Sequence, residues 1–296
     1  MILSFLKQAI GITPYEEEKE SLTRSELYRE LYRNPLSKYF VYGYYDEELK
    51  VYYNLDDTIG IIFECVPTVF SSVSAIKALQ NILSATYPDD SVLQFICYAD
   101  PNIDEFLDVY VEEKVKAPDF MKKAYVSLAQ FYREHKVGPV RDFRLFVALK
   151  FPAKSVKIEQ IKEIYTALAE GLRSADLYPF DVTPSTLLAF LRRLFNDKGF
   201  DGESLYRWTP ATSLNKQILL AETEVKREPK SVRFGEKYFR CISPKTLPKE
   251  VFPTLANLLT GSYEGVAGDL FQIPSPFIVC CTIILKDQKT YIHSKA

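Results

Sequence analysis

A chain of 296 residues with 47% hydrophobic and 26% charged side chains has the proportions of a folded protein, which excludes a disordered one. Its net charge of −2 hides an asymmetry. Residues 1–130 carry 12 basic against 21 acidic side chains, a balance of −9, while residues 131–296 carry 25 against 18, a balance of +7; this fits complementary docking as well as two separately solvated surfaces.

In chain order, Ile2, Phe5, Leu6 and Ala9 fall at helical spacing, with Gly11 as a stop. A polar helix is expected from Ser21 to Tyr32, and Asn34-Pro35 ends this arm. From Lys38 the pattern changes to strands. Lys50 to Asn54 reads as a Tyr-rich strand, Asp56-Asp57 as a turn and Gly60 to Val66 as a buried strand. Ser71 or Ser72 is placed to cap a helix with Val73, Ile76, Leu79, Ile82 and Leu83 as its apolar positions. A turn at Asp89-Asp90 leads to a strand from Ser91 to Tyr98, then to helical sequence broken near Pro118.

Arg141 to Phe151 reads as a further strand, and Ser155 is expected to cap a helix facing inward through Ile158, Ile161, Tyr165, Leu168 and Leu172. Thr183-Pro184 starts the next helix, which buries Leu187, Leu188, Leu191 and Leu194 and turns Arg192-Arg193 outward. The polar stretch 197–210 is the best candidate for an internal boundary. Beyond it the pattern gives a strand from Ser231 to Cys241, a helix from Pro253 to Leu259 and a stop at Gly261. The last strand, Pro276 to Leu285, is apolar throughout and so needs cover on both faces.

The expected class is α+β, with mixed sheets packed by helices, two subdomains and no phosphate-loop motor domain. The divisions are an N-terminal helical arm over 1–35, a main α+β domain over 36–200 and a second α+β segment over 201–296. Five cysteines, at positions 65, 97, 241, 280 and 281, are an odd number set mostly in apolar runs; they argue against a disulfide framework and fit a reducing compartment. The longest strongly apolar run, Phe277 to Leu285, is about half of the ~20 residues that a spanning helix needs. Any membrane contact is then expected to be peripheral or through a partner.

The familiar catalytic motifs do not occur in the sequence. The glycine cluster Gly261, Gly265, Gly268 lacks the Gly-Lys-Ser/Thr of a phosphate loop, and Glu264 and Asp269 would repel phosphate. His135 lies in polar helical sequence and His293 in the tail, neither in a nucleophile or zinc motif. Asp56-Asp57 and Asp89-Asp90 read as turn formers. These readings give no catalytic, cofactor-binding or metal-binding residues. For nucleic acid, the best stretch holds Lys226, Arg227, Lys230, Arg233, Lys237 and Arg240 around Phe234, Tyr238 and Phe239. It is interrupted by Glu222, Glu224, Glu228 and Glu236, so a solvated surface is favoured over single-strand binding.

Three segments carry a family resemblance: LSKYFVYGYYDEELKVYYNLDDTIGIIFECVP over 36–67, ATSLNKQILLAETEV over 211–225, and ISPKTLPKEVFPTLANLLTGSYEG leading into QIPSPFIVCCTII over 242–284. Together they resemble the N-terminal region of TraC-like conjugation ATPases, relatives of the VirB-type assembly motor of type IV secretion. Relatives continue into a RecA-like motor, whereas this sequence stops first. The resemblance therefore implies a scaffold and docking module with no ATP turnover of its own. ATP and Mg are expected only in the motor domain of a full-length parent ATPase. It also implies a bacterial cytoplasmic location at the inner membrane, with inner-membrane secretion components and motor subunits as partners, self-association as a further contact, and no small-molecule substrate. Ile2, Phe5 and Leu6 are the expected partner-binding residues. The alternative is a nucleic-acid-binding accessory domain using 216–240.

Overall fold

Alternating Val, Ile, Phe and Leu build one antiparallel sheet whose two faces feed two cores. The computed structural model describes residues 35–67, 72–112, 118–134, 140–197, 200, 202–243 and 275–285. The expected helices before Asn34-Pro35, the helix from Pro253 to Leu259, the glycine cluster, His135, His293 and the Ile2, Phe5, Leu6 stripe all lie outside the described residues.

The sheet contains β1 (Tyr42–Asp46), β2 (Val51–Asn54), β3 (Thr58–Cys65), β4 (Ser91–Asp100), β5 (Asp142–Pro152), the two-residue β6 (Phe180–Asp181) and, far along the chain, β10 (Phe277–Leu285). Their order is β1-β2-β3-β5-β4-β10, with β6 paired to β3, and every pairing is antiparallel. The side-chain period of two sends Ile59, Ile61, Phe63, Leu93, Val147 and Leu149 to one face. Tyr52, Ile62, Ile96 and Phe146 go to the other. Asp57 and Asp90 occupy the left-handed backbone region, at φ 61° each, so both acidic pairs make turns as expected. Mixed helices and antiparallel sheet make the fold α+β.

The first face is covered by α1 (Val73–Ser84) and α4 (Ile158–Ser174). Ser72 caps α1 as expected, its hydroxyl accepting from the Ala75 N–H at 3.0 Å. The buried stripe of α1 is Ala75, Ala78 and Ile82, however, and Val73, Ile76 and Leu83 face outward. Small side chains are what the site requires, because α1 lies close against α4: a Cβ on Gly171 would come within 2.6 Å of Ile82 Cγ1. On α4, Ile161, Leu168 and Leu172 are buried as expected, but Ile158 is exposed. Ser155 does not cap this helix. It belongs to a short 3-10 turn, and the N-terminus is closed by Gln160, whose side-chain oxygen accepts from the Lys157 N–H at 2.8 Å.

The second face is covered by α5 (Pro184–Phe195) and a 3-10 turn at Leu214–Gln217. Thr183 caps α5 and Pro184 takes its first turn, where a missing N–H costs nothing. Leu214, Ile218 and Leu219 seal this core against Tyr52, Phe146 and Leu188. The motif at 211–225 is thus the strip that closes the second core. Two further helices, α2 (Asp104–Glu112) and α3 (Asp119–Arg133), pair with each other over a small cluster of Ile103, Leu107 and Ala129. The short α6 (Gly202–Tyr206) lies against α5.

Two other expectations need correction. The single strand expected over 231–241 is a hairpin of β8 (Val232–Phe234) and β9 (Lys237–Phe239), joined to β7 (Val225–Arg227) in a separate three-stranded sheet. Gly235, at φ +56°, opens the two-residue turn, and Asp197 fixes it by accepting the Glu236 N–H. The last strand, expected to be covered on both faces, is an edge among the described residues: β10 pairs with β4 and its middle is exposed.

Candidate interaction surfaces

The polar clusters of the molecule close on themselves. On the sheet, Arg144 grips Glu64 through two nitrogens, at 2.7 and 2.9 Å, and lies 3.7 Å from Asp100. Asp142, directly across from Asp100 in the ladder, has its carboxyl pushed up chiefly by burial. Beside β2, Lys50 donates to Asp181 at 2.6 Å, and the Tyr165 hydroxyl donates to the same carboxylate. The buried Tyr52 hydroxyl donates to the Val182 carbonyl at 2.6 Å, and burial drives its pKa well above the usual phenol range. Each cluster spans strands or ties an element to the sheet.

Arg192 is the most telling of these groups. An outward orientation was expected from the Arg192-Arg193 pair, but Arg192 is 6% exposed. Its Nε donates to the Gln217 carbonyl at 2.9 Å, and its Nη1 reaches the carbonyls of Ser204, Leu205 and Arg207 at 2.8–3.1 Å. The guanidinium carbon lies 4.5 Å from the Phe200 ring centre. Burial pulls its pKa down to about 10, which still leaves it charged at neutral pH. Next to it, buried Asn196 donates to the Arg192 and Ile218 carbonyls and accepts from Leu220 N–H and the Thr223 hydroxyl. These two side chains satisfy an irregular stretch that has no ladder of its own. Sequence reasoning missed both, since an Arg pair late in an amphipathic helix looks solvent-facing.

The basic stretch is divided by the fold. Lys226 pairs with Glu224 at 2.6 Å, and Arg233 lies 3.2 Å from Glu224 and 3.8 Å from Glu228. Lys237 turns inward onto the carbonyls of Arg193 and Asn196 at the end of α5, and burial lowers its ammonium pKa. Arg227, Lys230 and Arg240 remain exposed, as does Tyr238.

A small open cleft of about 160 Å³ lies between β1 and the segment after α6, lined by Tyr44, Tyr45, Glu47, Trp208 and Pro210. It falls below the ~300–1,000 Å³ of ordinary small-molecule sites. Among the described residues, no three His, Cys, Asp or Glu side chains gather as a metal would require. None of the described helices is long and apolar enough to cross a membrane.

Uncovered apolar surface is the more conspicuous feature. On α3, Phe120, Leu128 and Phe131 share a stripe at i, i+8 and i+11, with Phe120 74% exposed, and Val109 of α2 is exposed as well. The α2–α3 pair is held by its small cluster and by Arg133, which bridges Asp104 and Asp108. A second uncovered stripe is Val73, Ile76 and Leu83 on α1, and a third is β10, with Ile278, Val279 and Ile284 exposed.

No curated protein and no solved structure matches the chain. The family described as TraC protein matches it over residues 36–296, from just before β1 through β10 and beyond. That span contains the whole described sheet, both cores and the strip that closes the second one. The chain therefore belongs to the TraC protein family and takes part in a type IV secretion or conjugation system.

Proposed function

We propose that this chain is the docking and scaffold module of a type IV secretion ATPase, joining inner-membrane components to a motor carried elsewhere in the full-length parent. On this reading it acts from the bacterial cytoplasm, bound peripherally at the inner membrane. ATP and Mg belong to the motor domain. The arm over 1–35 and the segment over 201–296, part of which completes the main sheet and its second core, supply contact-making parts. The observation that carries the reading is the contrast between closed polar clusters and open apolar stripes. Glu64, Arg144, Asp181 and Arg192 spend their hydrogen bonds inside the fold, while Phe120, Leu128 and Phe131 lie uncovered among the described residues. Apolar patches of this kind mark partner surfaces.

The test is capture of inner-membrane secretion components by the tagged chain. Two variants are compared, Phe5→Glu with Leu6→Glu in the arm and Phe120→Glu with Phe131→Glu on α3. Loss of capture by at least one of them, with an unchanged circular dichroism spectrum, is expected. Capture at the original level by both would remove the docking reading.

A further inference from the structure

The two edges of the main sheet are built differently. β1 has the guards of a protected edge: five residues, a register break between Tyr42 and Tyr44, and Asp46 at its end. β10 has none of them. Its nine residues, FIVCCTIIL, carry no charge and no proline, and they pair with β4 without interruption from Phe277 opposite Ala99 to Leu285 opposite Ser91. Among the described residues nothing pairs with its outer edge. A row of backbone N–H and C=O groups on that side is a template for one more strand.

The sequence of β10 suits a copy of itself. With no charge in the strand, self-pairing opposes no like charges. Antiparallel pairing at full overlap also places Ile278 opposite Ile284 of the partner subunit and Val279 opposite Ile283 of the partner subunit. β-branched side chains facing each other across strands are the favourable kind of pair. The same register puts Cys281 on the symmetry axis. We propose that β10 is an interface at which two copies of this chain join edge to edge, antiparallel, with Cys281 opposite Cys281 of the partner subunit. The two sheets then continue as one over a contact about 30 Å long, and the interface is isologous, as closed dimers require. The proposal deepens the docking reading by naming one partner, a second copy of the chain.

The test uses the 296-residue chain in a Cys241→Ser background, with mass read by light scattering over a hundredfold concentration range and copper–phenanthroline as oxidant. A dimer is expected. Directly opposed Cα atoms in an antiparallel pair lie ~4.5–5.5 Å apart, within disulfide reach. The oxidised dimer should therefore persist in Cys280→Ser and vanish in Cys281→Ser. Cys281→Lys should weaken the dimer by roughly tenfold or more, with an unchanged circular dichroism spectrum, and mixing it with Cys281→Glu should restore a dimer. A monomer throughout, a crosslink that survives Cys281→Ser, or a dimer indifferent to Cys281→Lys would overturn the proposal. Capture of membrane components is read separately with the arm and α3 variants, so failure of the dimer and failure of the docking reading are distinguishable.

Discussion

Arg192 shows how one side chain can tie short elements and the chain between them to a helix. Its guanidinium has no carboxylate partner among its hydrogen bonds; four carbonyls between Ser204 and Gln217 take its N–H groups instead. Removing it would strand those carbonyls and open a void beside Phe200. Arg192→Ala is expected to cost about 3–5 kcal/mol in denaturant unfolding, the sum of several stranded buried acceptors and the void left behind. Arg192→Lys should recover only part of that, because an ammonium lacks the planar fork. Arg193→Ala should cost less, since that side chain is partly exposed. Neighbouring arginines in one helix are thus expected to differ by a sizeable share of a domain's ~5–15 kcal/mol stability margin. Sequence periodicity could not separate them, because what decides is the position of carbonyls contributed by backbone some 12 to 25 residues away.

Among the elements, strands were read best. β2, β3, β4 and β5 each show runs of β-branched and aromatic residues bounded by Asp turns or Pro, and their limits lie within two residues of expectation. The cap and proline of α5 were equally plain, because both are local chemistry. Which face a helix buries was less legible. On α1 the larger side chains suggested Val73, Ile76 and Leu83, but the close crossing with α4 selects alanines. That crossing makes a prediction. Gly171→Ala should destabilise by about 1–3 kcal/mol through overpacking, although alanine has the better helix propensity. Pairing it with Ile82→Val should recover part of the loss in a double-mutant cycle. If Gly171→Ala instead stabilises the protein, the helices do not approach as closely as described. β10 was misjudged for a related reason: an all-apolar strand reads as central, and only the sheet order shows it at an edge.

At the scale of the whole molecule, buried acids of high pKa set the alkaline limit. Burial pushes the Cys65 thiol up to about 12 and, with help from the Asp181 charge, the Tyr45 phenol to about 12 as well. Unfolded, these groups titrate near 8.5 and 10. The folded state therefore holds protons that the unfolded state releases, so their contribution is intact below about pH 8.5 and is lost as pH rises toward 12. Urea midpoints should fall steadily from pH 9 to 11, and Cys65→Val should flatten the lower part of that slope. An unchanged slope in the variant would remove Cys65 as its source.

The sheet order has a consequence for how the chain is made. β4 borders β5 on one side, but its other neighbour, β10, is encoded some 180 residues later. During synthesis the outer edge of β4 must therefore wait for its partner for roughly 10–40 s at ~5–20 residues per second. An unpaired, largely apolar strand left open for that long is a target for premature association on the ribosome, and its protection by a chaperone would govern the yield of folded protein.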